Sequence, residues 1–484
     1  MTGERISSGD DGLDEILGGG LPRNRLYLLR GAAGTGKTTL GLQFLMRARD
    51  AGEPVLYVTL SQSEAELREI ASSHGWDLEG IAVQSLAASD EIRDISEQTI
   101  FQSADLRLDE TRDAIQQRIE EIQPTCVVYD SLLEIRLLSS EVTRFRQEIL
   151  GFKNFVGTQN ITALLLDSEH ASAQRGEDQL ENIAHGIIRF DKALPSYGLA
   201  RRRLEVKKLR GSKIRDGWHD VSIRTGEGVV VFPRVIPSLQ PEQTAADELI
   251  TCGIDEIDSM LGGGLERGTS AMVVGQSGTG KSTLASLYAK AALERNEHVA
   301  MFLFEERAET FFRRSAGLGI DLRPAFEDGT LHLFDFNPAE VSPGEFAQKV
   351  LKTLEEYPIS VMLIDSFTGY LSGLMDSDQA VPQMHSLLKY VSRKGVLSIL
   401  IVAQHGLLGE GQRSDLDVSY LGDCVLLLRM YESRGVIQRT ITAVKKRHGP
   451  HDMQLKELTI APGSITAEPF NPPPPGPGGP VSGG

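Results

Sequence analysis

Short apolar runs recur along the chain, separated by longer stretches in which apolar and charged residues follow a helical spacing. In the first half the runs are Leu26–Leu29, Val55–Leu60, Cys126–Tyr129 and Thr162–Leu166. In the second they are Ala271–Val274, His298–Phe304, Val361–Ile364 and Leu397–Ala403. Runs this short, apolar throughout and rich in branched residues suit strands covered on both faces. Strands alternating with helices predict an α/β fold: two domains, each with a mainly parallel sheet flanked by helices.

The first run of each half leads into a glycine-rich loop. The loops are Gly31-Ala-Ala-Gly34-Thr35-Gly36-Lys37-Thr38 and Gly275-Gln-Ser-Gly278-Thr279-Gly280-Lys281-Ser282, and Lys281 lies 244 residues beyond Lys37. Both match G-x-x-x-x-G-K-[ST], the P-loop pattern. Its glycines let backbone N–H groups and a helix N-terminus face phosphates, and its lysine sets a positive charge over them. The candidate nucleotide-binding residues are therefore Gly34, Thr35, Gly36, Lys37, Thr38 and Thr39, and Gly278, Thr279, Gly280, Lys281, Ser282 and Thr283. A single glycine-rich turn also serves plain chain reversal, but two in register carry far more weight. The runs Leu13–Leu21 and Ile257–Leu265, each containing Leu-Gly-Gly-Gly-Leu, repeat at the same spacing, so a whole domain is duplicated.

Three prolines in Phe232–Pro241 read as an extended linker, and Asn471–Gly484 is a proline- and glycine-rich tract that cannot build a core. The expected organisation is a first domain over 1–240, a second over 241–462, and a disordered tail over 463–484.

Composition narrows the class. Fifty Lys and Arg against 67 Asp and Glu give a net charge of −17, so nothing favours wrapping a polyanion, and nucleic acid is not an expected partner. No apolar run approaches the ~20 residues of a membrane helix, and no membrane association is expected. The N-terminal residues lack the apolar segment of a secretory signal, and Cys126, Cys252 and Cys424 follow no metal-ligand spacing. A reducing cytoplasm is the expected compartment.

Asp130 and Asp365 each end an apolar run and each precede a serine, Ser131 and Ser366. A carboxylate at such a strand end, with the Thr38 or Ser282 hydroxyl, can hold the shell of a Mg²⁺ ion. The halves differ after the second run, where Glu305-Glu306 in one aligns with Ser61-Gln62 in the other. A glutamate beside the γ-phosphate can deprotonate an attacking hydroxyl, and Ser or Gln cannot. Two acidic residues also favour the start of a helix on dipole grounds alone.

The two loops, the Leu-Gly-Gly-Gly-Leu runs, the Asp-Ser pairs and the Glu-Glu pair together resemble the KaiC-type RecA-like ATPases, over residues from about 8 to 460. The resemblance implies two tandem RecA-like P-loop domains, ATP and Mg²⁺ as ligands, and a homohexamer with ATP between neighbouring subunits. It also implies a second domain that acts as a serine/threonine autokinase. Glu305 becomes the general base with Glu306 beside it, and Ser419, in Asp417–Leu428, the phosphate acceptor. Tyr420 stands where the family's clock protein has threonine, a departure from a two-site phosphorylation cycle. Arg439, Lys445, Lys446 and Arg447, with Lys208, Leu209, Arg210 and Ser212 in the first half, match segments that reach a neighbour's triphosphate. The first domain, without the Glu-Glu pair, is expected to bind nucleotide with little hydrolysis. The proline-rich tail replaces the end that recruits the clock protein's activating partner, so signalling partners are left unassigned. Two rivals remain: a RecA/RadA-type DNA-dependent ATPase, and a nucleotide-switched scaffold without kinase activity.

Overall fold

The computed structural model describes residues 4–86, 104–139, 142–168, 177–194, 198–237, 248–374, 377–404, 419–433 and 435–470. Of the tail expected to be disordered over 463–484, Ser464–Pro469 instead forms an edge strand paired with Lys456–Ala461, while the tract from 471 onward and the start of the acceptor segment, including Asp417, lie outside the described residues. The chain divides into two compact units between Arg234 and Val235. Phe232, expected in the linker, instead closes the edge strand Gly228–Phe232, where its ring is buried and the Arg224 guanidinium covers it at 5.4 Å.

Each unit holds a nine-stranded sheet. In the first, the order from one edge is Ala82–Ser85, Val55–Thr59, Cys126–Asp130, Thr162–Ser168, Leu26–Gly31, Gly186–Ala193, Arg201–Leu209, His219–Arg224 and Gly228–Phe232. The first six run parallel and the last three extend them antiparallel. The second unit repeats that order with Leu331–Asp335, His298–Leu303, Ile359–Asp365, Leu397–Ala403, Ser270–Gly275, Cys424–Ser433, Val436–Lys446, Lys456–Ala461 and Ser464–Pro469.

Alternate residues of the central strands feed apolar clusters on opposite faces of each sheet, which is why these strands read as unbroken apolar runs. Cys126 and Val128 join one cluster and Val127 and Tyr129 the other. In the second unit Val361 and Leu363 face one way, Met362 and Ile364 the other. Both P-loop strands sit in the middle of their sheets, between two parallel neighbours, so the loops leave from the centre of each sheet.

Candidate nucleotide sites

Each P-loop turns between a buried strand and a 14-residue helix, Lys37–Asp50 or Lys281–Glu294. Gly34 and Gly36 take φ of 72° and 107°, and Gly278 and Gly280 take 82° and 99°, left-handed backbone that other residues rarely adopt. The hydroxyls of Thr35 and Thr279 tie the loop to itself, donating to the carbonyls of Ala32 at 2.9 Å and Gln276 at 2.8 Å. Lys37 donates to the carbonyls of Gly31 at 2.7 Å and Ala32 at 2.9 Å, and Lys281 to that of Gln276 at 2.7 Å. Burial holds the Lys281 ammonium below its ordinary pKa, against the pull of Asp365 and Glu305. An ammonium curled over its own loop carbonyls, beside a helix N-terminus, forms a cradle for an anion, and triphosphate fits it. Thr39 and Thr283 follow in the first helical turn, both buried.

Thr38 donates to Asp130 at 2.9 Å, and Ser282 hydrogen-bonds to Asp365. Burial raises the pKa of both carboxyls, that of Asp365 to about 6. No group of three or more His, Cys, Asp or Glu side chains gathers as a metal cage among the described residues. One hydroxyl and one carboxylate per site suit Mg²⁺, which keeps waters and takes its remaining ligands from phosphate.

Beyond the loops the two sites diverge. The backbone N–H of Leu60 donates to the Asp130 carbonyl at 3.0 Å, and that of Phe304 to the Asp365 carbonyl at 2.7 Å, so Ser61 and Glu305 occupy matching positions. In the second site the Glu305 carboxylate receives the hydroxyl of Ser366, which also accepts from the Gly369 N–H at 2.9 Å and so caps helix Phe367–Ser372. Glu306 instead pairs with Arg314 at 2.5 Å. In the first site Ser131 makes no such cap, and its hydroxyl donates to Glu134 at 2.7 Å. Two features there escape sequence reading. Tyr57 donates to Asp130 at 2.7 Å, and a buried ionic cluster links Asp167 to Arg30 at 3.2 Å and Arg136 at 3.1 Å. Glu134 was findable by aligning the halves on their Asp-Ser pairs, where it falls opposite Gly369.

The basic residues assigned to intersubunit contact make contacts within their own domain. Arg439 donates to the carbonyl of Gly278 in its own P-loop at 3.0 Å, and Arg202, its first-domain counterpart, to Gly34 at 3.3 Å. Lys445 donates to the Gly422 carbonyl at 2.7 Å, and Arg447 pairs with Asp423 at 3.0 Å. The Lys446 side chain is buried, on Glu266 at 2.9 Å and the carbonyls of Leu261 and Gly264. In the first domain Lys208 donates to the carbonyls of Glu181 and Ala184, and Arg210 to that of Asn182. Leu209 is buried, and Ser212 receives a hydrogen bond from Arg5. Ser419 begins a single 3-10 turn before strand Cys424–Ser433, with the exposed Tyr420 ring 5.8 Å from His385.

A parallel sheet with a P-loop at its centre and an Asp at the end of the next strand but one defines a RecA-like P-loop ATPase domain, and this chain has two. A family model described as "ATPase: KaiC" matches residues 6–236 and 250–469, and the chain belongs to that family. It is 27% identical to the circadian clock oscillator protein KaiC of a Picosynechococcus species over 467 residues, covering 95% of this chain and 89% of that protein. It is 26% identical to the circadian clock protein KaiC2 of a Synechocystis species, covering 94% and 80%. The circadian clock protein KaiC3 of Synechocystis is 24% identical, covering 94% and 90%. No helix among the described residues is long and apolar enough to cross a membrane.

Proposed function

We propose that the chain is an ATPase and serine autokinase of the cytoplasm, working as a homohexameric signalling or timing switch that binds ATP at both P-loops. The observation that carries this reading is the second site, where Glu305 rests on the hydroxyl of Ser366, next in sequence to Asp365, while Asp365 meets Ser282 of the P-loop. Such a carboxylate takes the proton of an attacking hydroxyl. Water, or Ser419 of the adjacent subunit, attacks the γ-phosphorus as the bond to the bridging oxygen breaks and ADP leaves. Lys281 offsets charge on the phosphates. Ser282 and Asp365, like Thr38 and Asp130, would hold Mg²⁺, which when bound neutralises phosphate charge.

ATP seated between subunits accounts for the basic turn that carries Arg447 and for Arg439 on the loop rim, since cations delivered to a transferring phosphoryl stabilise it. The test mixes a Ser419→Ala chain with a Glu305→Gln chain that keeps Ser419, adds ATP and Mg²⁺, and maps phosphate by mass spectrometry. Transfer between subunits labels Ser419 of the base-dead chain. An unlabelled segment in both the mixture and the parent reduces the protein to an ATPase, and label on Tyr420 moves the acceptor by one residue.

A further inference from the structure

The two sites exchange a carboxylate for a small residue at two positions at once. In the second domain the strand-end position is Glu305 and the position three residues after the site serine is Gly369. In the first domain the strand-end position is Ser61 and the position three after the serine is Glu134. The exchange has a steric reason. A β-carbon on Gly369 would lie 3.0 Å from the Glu305 Cγ and 3.3 Å from the Phe304 Cβ, so a side chain on the helix would press against a glutamate on the strand-end loop. With serine at 61 that restriction is lifted, and the helix carries the acid instead.

Both acids meet the same partner. Glu305 receives the Ser366 hydroxyl and Glu134 the Ser131 hydroxyl at 2.7 Å, and each serine directly follows its domain's metal-binding aspartate. Both also lie close enough to that aspartate to act on its charge. The short helix Leu132–Leu138 that bears Glu134 is fixed two residues further on, where Arg136 pairs with the buried Asp167, itself held by Arg30.

We propose that the first domain also hydrolyses ATP, with Glu134 as the carboxylate that orients and deprotonates water in place of the missing Glu-Glu pair. The inference rests on ATP binding at the first P-loop. The water oxygen bonds to the γ-phosphorus, the bond to the bridging oxygen breaks, ADP leaves with that electron pair, and the water proton passes to Glu134. Loss of such a base costs typically ~10²–10⁴-fold.

The experiment uses the full chain with the second site silenced by Glu305→Gln, which leaves its ATP bound. Phosphate release is expected to persist in this chain, to fall at least roughly tenfold further on adding Glu134→Gln, and to recover partly with Glu134→Asp. In the same Glu305→Gln background, Ser61→Glu with Glu134→Gly moves the acid back to the strand end and restores release, which a merely structural role for Glu134 would not allow. Nucleotide per chain is measured alongside. Two nucleotides bound, with release absent in Glu305→Gln or unmoved by Glu134→Gln, overturns the assignment of Glu134 alone. One nucleotide per chain, lost from the first loop, overturns ATP binding there and this inference with it.

Discussion

Tyr57 donates its buried phenol to the Asp130 carboxylate at 2.7 Å, and the same carboxylate oxygen receives Thr38 of the P-loop at 2.9 Å. The matching residue in the second domain is Met301, which has no such donor. Hydrogen bonds from Tyr57 and Thr38 favour the ionised carboxylate against the burial that raises its pKa. Tyr57→Phe removes one of them. Mg²⁺-dependent ATP binding at the first site is expected to weaken, and to weaken more at pH 6 than at pH 8, because a metal ligand must be ionised. Titration calorimetry at the two pH values checks this. An equal loss at both would mean that the phenol only packs.

Lys37→Ala removes the ammonium that lies over the carbonyls of the first P-loop. If ATP sits between subunits, the chain should then run smaller than the parent in size-exclusion chromatography with ATP present. An unchanged elution volume would separate assembly from the first nucleotide.

Four parallel strands of each sheet, both P-loops and the strand-end aspartates were legible in the sequence because each rests on a local pattern: a short apolar run, a glycine pair, a carboxylate at a run's end. The three antiparallel strands that extend each sheet were not. Arg201–Leu209 mixes buried and half-exposed positions and carries five basic residues, so hydropathy gives it no apolar run to find. The shift of the acid from the strand-end position, Ser61, to Glu134 follows no local pattern and shows only when the halves are aligned on their Asp-Ser pairs. Its two positions lie far apart in sequence, and only the fold brings the strand end and the helix to one serine.

Lys446, expected to reach a neighbour's triphosphate, turns into its own domain. Its ammonium is buried against Glu266 and the carbonyls of Leu261 and Gly264, in the Leu-Gly-Gly-Gly-Leu turn of its own domain. Removing one partner of a buried pair leaves the other uncompensated. Lys446→Ala is therefore expected to destabilise the second domain by about 2–4 kcal/mol in denaturant unfolding, a discounted figure because Glu266 keeps some access to water. Arg447→Ala, at a half-exposed pair, should cost under ~1 kcal/mol. Equal small effects would place Lys446 at the subunit boundary instead.

Asp10 links pH to the stability of the first domain. Its carboxylate caps helix Asp11–Leu17 through the Leu13 N–H at 2.7 Å and reaches the Val231 N–H at 3.3 Å on the edge strand. Burial nevertheless outweighs these bonds and lifts its pKa from 3.8 to about 6. Between those values the folded chain holds a proton there that the unfolded chain has released. The stability this group contributes is complete below pH 3.8 and is lost as pH rises through 6. A difference of that size amounts to about 2 kcal/mol after allowing for partial exposure. Asp10→Asn keeps an acceptor for Leu13 but cannot titrate. The unfolding free energy of the parent minus that of Asp10→Asn should therefore fall by about 2 kcal/mol from pH 4 to pH 7, while other carboxylates cancel in the difference. A difference that stays flat with pH would show that Asp10 is as ionised in the folded domain as in the unfolded chain.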